Sequence, residues 1–223
     1  TENEADYIII YHPKFKSVAE RLADFRRTTP VTPEASPLRV LTANVLEIYD
    51  EFSAGLMDPY SIKEFIKYAF ESFKRPAPLY VTLVGDMSFD YRRILPDSRE
   101  NFIPSIPFHS IQYGVAASDN LYVAVTGEDV TPDLAISRVS IETVEEGNVI
   151  LSKIESYPAD NTKNWKEAVL LMASGIDQQD ELQFGFNRES IKLKTNFIEP
   201  QGFRSVVVCR YPSTPEEELY AGS

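Results

Sequence analysis

The run from Pro78 to Asp86, Pro-Leu-Tyr-Val-Thr-Leu-Val-Gly-Asp, constrains this chain more than any other stretch. It is almost unbroken in apolar and β-branched residues, with Pro76 and Pro78 before it and a Gly-Asp turn after it. That pattern reads as a strand buried on both faces, which is the position of a central strand in a parallel sheet. Ligands and catalysis in open α/β sheets collect at the carboxyl ends of such strands. Here that end delivers Asp86 and, after Met87-Ser88-Phe89, Asp90.

The flanking segments supply the rest of a βαβαβ order. Tyr7 to Tyr11 is a short strand stopped by His12-Pro13. Phe15, Val18, Ala19, Leu22, Ala23 and Phe25 repeat at helical spacing, and Leu38 to Thr42 forms the second strand. Val45 to Phe52 reads as a short helical turn with Leu46, Tyr49 and Phe52 inward. Asp58-Pro59 opens a helix as N-cap and first helical residue, with Ile62, Phe65, Ile66, Ala69, Phe70 and Phe73 as its buried stripe. From Arg92 to Ala117 the periodicity fails, apart from one strand expected near Phe102 to Ile106. A strand over Leu121 to Val125 and another over Leu134 to Val139 are expected next, then a helix capped by Thr143 with Val149, Ile150, Ile154 and Tyr157 apolar. Pro158 to Asn164 is a polar linker, so the expected division is residues 1–160 and 161–223. The second part holds strand 168–173, loop 174–180, helix 183–198, strand 205–209 and a helix begun at Thr214-Pro215. The fold expectation is therefore a three-layer, doubly wound parallel-sheet subdomain followed by an incomplete second α/β subdomain.

Composition excludes some partners. The formal net charge is -12, from 22 Lys and Arg against 34 Asp and Glu, and no cluster of five basic residues occurs. Nucleic acid and anionic membrane both need a basic footprint, so neither is an expected partner. No stretch of 18 apolar residues is present to span a bilayer. The chain opens at Thr1 and stops within the helix begun at Thr214, which suggests a processed or excised piece of a longer protein.

The chemistry-bearing residues are few. Asp86 and Asp90 can hold a hard cation such as Ca²⁺, polarise a substrate, or cap the following turn, and the local role is favoured because Asp and Ser dominate turns. Ser118-Asp119-Asn120 carries the same alternatives. His12 sits at the catalytic edge but precedes proline as turn residues do, and His109 has no suggested partner. Cys209, the only cysteine, follows Val206-Val207-Val208 within a strand and reads as a small buried hydrophobe, not an activated thiolate. The glycines match neither a dinucleotide fingerprint nor a phosphate loop, so no nucleotide cofactor is expected.

Several ordered segments resemble one family, the gingipain-like cysteine peptidases (peptidase family C25). They are Ile48-Tyr49-Asp50-Glu51-Phe52-Ser53-Ala54-Gly55, Asp58 to Lys67, Val84-Gly85-Asp86-Met87-Ser88-Phe89-Asp90-Tyr91, Ser118-Asp119-Asn120-Leu121-Tyr122, and Pro132-Asp133-Leu134-Ala135-Ile136-Ser137-Arg138-Val139. Lys153-Ile154, Tyr157 and Trp165 also fit. One departure is Ser137, where the family usually has glycine before Arg138.

The resemblance implies a caspase-like fold of two α/β subdomains and an endopeptidase acting on proteins outside the cytoplasm. It also implies that the catalytic histidine, in a Gly-His-Gly strand end, and the nucleophilic cysteine come later than Ser223. No catalytic residue carries over. Asp86, Asp90, Asp119 and Arg138 are expected to organise loops beside the cleft. The loop 175–181, with Asp177 and Asp180, occupies the place where some family members put an acidic specificity residue. The alternatives are a non-catalytic α/β scaffold or interaction domain of a secreted protein, and a calcium-binding flavodoxin-like module.

Overall fold

The computed structural model describes residues 3–30, 36–91, 93–111, 114–127, 129–157, 164–174 and 185–210. The chain divides into two compact units, 1–159 and 160–223.

The first unit is built on a four-stranded parallel sheet of order β2-β1-β3-β6, with β1 at Tyr7–Tyr11, β2 at Val40–Asn44, β3 at Tyr80–Val84 and β6 at Ala135–Val139. The strands are in step, Tyr7 standing opposite both Val40 and Tyr80, and Tyr80 opposite Ala135. The run that opened the sequence is thus β3, flanked on both sides, although Leu79 lies outside it and is exposed. Alternation along β1 sends Ile8 and Ile10 to one face and Tyr7, Ile9 and Tyr11 to the other. Ile8, Ile9 and Ile10 are fully buried, each contributing about 1.5–3 kcal/mol of transfer free energy.

Helices α2 (Val45–Ser53) and α3 (Pro59–Ser72) cover the Ile8 face. Helices α1 (Lys16–Thr28) and α4 (Val144–Ser156) cover the Tyr7 face. The three-layer expectation is met, and the caps form where the sequence placed them. The Asp58 carboxylate accepts from the Tyr60 amide at 2.9 Å, and Thr143 and Glu146 close a capping box.

Several local expectations are corrected. Region 45–53 is a full helix, and it buries Val45, Ile48 and Tyr49 while Leu46 is exposed. Leu121 to Val125 is not a strand; Asn120–Tyr122 is a 3-10 turn, with Tyr122, Val123 and Val125 buried from loop positions. The irregular segment contains a hairpin, β4 (Ile106–Ser110) antiparallel to β5 (Gly114–Ser118). In α4 the inward residues include Gly147 and Leu151, whereas Val149 and Tyr157 are exposed.

In the second unit β7 (Ala168–Ser174) pairs in parallel with β8 (Arg204–Arg210), and α5 (Phe186–Leu193) continues into a π turn over Lys194–Ile198. The expected loop 175–181 and the helix begun at Thr214 lie outside the described residues. Among the described residues no helix is long and apolar enough to cross a membrane.

Candidate functional site

The parallel register brings Asn44, Tyr11, Val84 and Val139 to one edge of the sheet. The chain leaves β1 for β2 on one side and returns as β3 on the other, so the topological switch point lies between β1 and β3. Doubly wound proteins place ligands in that crevice. Here the protein's own aromatic side chains fill it. Phe15 and Phe102 are buried with ring centroids 4.8 Å apart, the His12 ring lies 5.2 Å from Phe102, and the Lys14 ammonium stands 4.7 Å from the centre of the Phe102 ring. Gly85 makes the approach possible: its φ is +140°, and a Cβ there would stand 2.9 Å from the Phe102 Cβ.

His12 is committed to this plug. Its Nδ1 accepts from the Lys14 amide at 3.3 Å, capping the turn Pro13–Phe15, and its own amide donates to the Val84 carbonyl at 3.3 Å. Burial lowers its pKa, with Glu100 opposing and Lys14 adding to the shift. His109 lies exposed on β4 opposite Val115. The Cys209 backbone lies in β8 opposite Ala173.

Beyond β3, two backbone anchors fix Asp86. Its amide donates to the Ile141 carbonyl at 3.0 Å, and its carbonyl accepts from Phe102 and Ile103 at 3.1 and 3.2 Å. Asp90 is buried; its Oδ2 accepts from the Leu95 amide at 2.8 Å and its amide donates to Ser88 Oγ at 3.2 Å. Asn101 Oδ1 in turn accepts from the Ser88 amide at 3.2 Å. These bonds tie Asp90 to the Ser88 and Leu95 ends of its own loop.

Asp119 and Arg138 meet in a two-pronged ion pair. Arg138 Nε donates to Asp119 Oδ2 at 2.8 Å and its Nη2 to Oδ1 at 2.7 Å. Arg138 Nη1 donates to the carbonyls of Gly85 at 2.9 Å and Ile103 at 2.8 Å, and Nη2 also reaches Ser105 Oγ at 3.3 Å. The Ser105 hydroxyl donates to Asp119, Tyr91 to the Ser105 carbonyl, and Tyr122 to the Pro104 carbonyl. The Arg138 side chain is only 8% exposed. Burial pushes the Asp119 pKa up, but hydrogen bonding and charge from Arg138, aided by Ser105, outweigh it and hold the group below the usual carboxylate range. A guanidinium so saturated is a clamp on the segments 85–91, 101–105 and 119–122; it leaves no donor for a substrate.

The sequence did not single out Phe102, Asn101 or Ser105. The apolar pair Phe102-Ile103 inside a polar, proline-rich segment was the available signal, because such a pair marks a loop tied to the core. On the outer side of the same loops a groove of about 500 Å³ is lined by Ser88, Phe89, Asp90, Leu95, Asp97 and Arg99. Phe89, Ile94 and Leu95 are exposed around it. Asp177 and Asp180 lie outside the described residues. Among those described, no group of three or more His, Cys, Asp or Glu is placed to hold a metal ion.

Three solved structures share this architecture. Gingipain R (RgpB), an Arg-specific cysteine proteinase, aligns with a TM-score of 0.62 and 19% identity, covering 97% of this chain and 45% of that one. A structure described only as a protease aligns with a TM-score of 0.63 and 21% identity, covering 96% and 41%. Dimeric latent PorU from Porphyromonas gingivalis aligns with a TM-score of 0.56 and 20% identity, covering 74% and 16%. The chain therefore spans less than half the length of each, and at these identities the likeness shows a common caspase-like α/β fold. A search of curated proteins found no match. The sequence pattern of peptidase family C25 matches residues 1–220. The chain belongs to peptidase family C25.

Proposed function

We propose that this chain is the amino-terminal part of a gingipain-like cysteine endopeptidase that acts on proteins outside the cytoplasm. Its role in the whole enzyme is to build the first subdomain and one wall of the substrate cleft. The thiolate nucleophile and the histidine base come from residues beyond Ser223, where they hydrolyse the peptide bond through an acyl-enzyme. The observation that carries this reading is the family match over residues 1–220, a span whose only histidines are His12 and His109 and whose only cysteine is Cys209.

The geometry agrees with a supporting role. His12 is spent on a turn cap and an aromatic stack, and Arg138 is spent on its clamp. Phe89, Leu95 and the groove beside them present an exposed, partly apolar face suited to a polypeptide. In the second unit Leu170 and Met172 on β7 are 57% and 75% exposed, which suits a parallel pair belonging to a larger sheet covered on both faces.

Cleavage of denatured casein by the 223-residue chain, and by a polypeptide extended by about 150 residues to complete a two-subdomain unit, tests the proposal. The short chain is expected to be inactive and the extended one active. Cleavage by the short chain overturns the reading. An inactive extended chain that is folded favours the non-catalytic scaffold instead.

A further inference from the structure

At the amino edge of the same sheet, on the face covered by α1 and α4, lies a second cavity of about 240 Å³. Its floor is a row of three hydroxyls on adjacent strands. Tyr7 Oη is 2.6 Å from Thr82 Oγ1, and Thr82 Oγ1 is 2.7 Å from Ser137 Oγ. Ser137, on β6, ends the row, and a glycine there would end it at Thr82. The Arg26 guanidinium, at the end of α1, closes the Tyr7 side, and Leu38, Tyr80 and Ala135 supply apolar walls.

Proton bookkeeping gives the row a direction. Three hydroxyls bring three protons, and the two bonds between them use two. Arg26 has only donors to offer, and its charge bears on the Tyr7 hydroxyl, so the spare proton is disfavoured at the Tyr7 end. The row then runs from Tyr7 through Thr82 to Ser137, which leaves the Ser137 proton unused within the row at a residue that lines the cavity. Both polar ends of the cavity therefore present donors. Among the described residues no acidic side chain lines it and Arg26 has no carboxylate within ion-pair distance, although the chain carries 34 acidic residues to 22 basic ones.

We propose that this cavity binds a small organic carboxylate, its charge held by Arg26 and the Ser137 hydroxyl and its apolar body against Leu38 and Tyr80. The volume is below the roughly 300–1,000 Å³ of sites for drug-sized ligands, which selects a small acid over a nucleotide or a peptide segment. The site is separate from the carboxyl-edge groove and does not depend on peptidase activity.

Benzoate and its neutral isostere benzamide are the probes, titrated against the 223-residue chain at constant ionic strength with melting temperature and calorimetry as readouts. Benzoate is expected to bind saturably and raise the melting temperature, because a ligand bound only by the native state stabilises it, while benzamide does neither. Arg26→Gln is expected to weaken benzoate binding about tenfold or more, the size of one lost charged hydrogen bond, and Ser137→Gly to weaken it severalfold. Absence of saturable benzoate binding, equal binding of benzamide, or full affinity in Arg26→Gln overturns the proposal. Should Arg26→Gln fail to fold, full affinity in Ser137→Gly overturns it instead.

Discussion

Arg138 is where the loops of the first unit are tied together, and its chemistry makes it hard to replace. A lysine offers a compact charge with three donors and cannot reproduce a planar fork that meets Asp119 with two bonds while reaching Gly85 and Ile103. Arg138→Ala leaves a partly buried carboxylate, 24% exposed, without its counter-ion, so unfolding in urea is expected to show a loss of about 3 kcal/mol, the low end for a buried pair. Arg138→Lys is expected to recover only part of it. Asp119 gives the pair a pH signature. Its folded pKa is below the usual value, so its contribution is complete above the unfolded value of about 3.9 and is lost as pH falls through the depressed folded one. Asp6, lowered mainly by its hydrogen bond to Arg39, acts with the same sign. Urea midpoints measured from pH 7 to pH 3 are expected to fall more steeply for the native chain than for Asp119→Asn. The sequence offered Asp119 and Arg138 as separate members of two motifs. Their meeting was not legible because it depends on how the segment after β3 folds back, and that segment has no periodicity to read.

At the scale of elements, the helices and parallel strands were the legible part, because amphipathic stripes and caps are written locally. Thr143 with Glu146 is such a signal, and Thr143→Ala is expected to cost about 1 kcal/mol in thermal or urea unfolding. What local pattern does not carry is how closely two elements approach. Gly147 on α4 faces Val18 on α1, and a Cβ there would stand 2.6 Å from Val18 Cγ2. Gly147→Ala is therefore expected to destabilise by about 1–3 kcal/mol through overpacking, despite alanine's better helix propensity. Pairing it with Val18→Ala is expected to restore much of the loss. The segment 121–125 shows the opposite failure. Its apolar residues read as a strand, yet they are buried from a loop whose Val125 and Thr126 amides both donate to Asp133 Oδ2 at 2.8 Å. A side-chain carboxylate replaces the ladder a strand would have needed, and no alternation in the sequence announces that.

The whole molecule keeps a doubly wound sheet but closes its customary ligand crevice with Phe15, Phe102 and His12. The stretch from Tyr80 to Asp90 is thereby a central strand and the loop that follows it, with the groove at Phe89 and Leu95 on its outer side. The chain belongs to family C25, and the role proposed for it is that of scaffold and cleft wall. The measurement that tests this most directly is peptide-bond cleavage by the 223-residue chain and by the extended polypeptide, each also carrying Cys209→Ala and His12→Ala together. The expected result is no cleavage by either short form and equal cleavage by the two extended forms. Cleavage by the short chain, or its loss in the extended chain when Cys209 and His12 are replaced while the fold persists, would contradict the account.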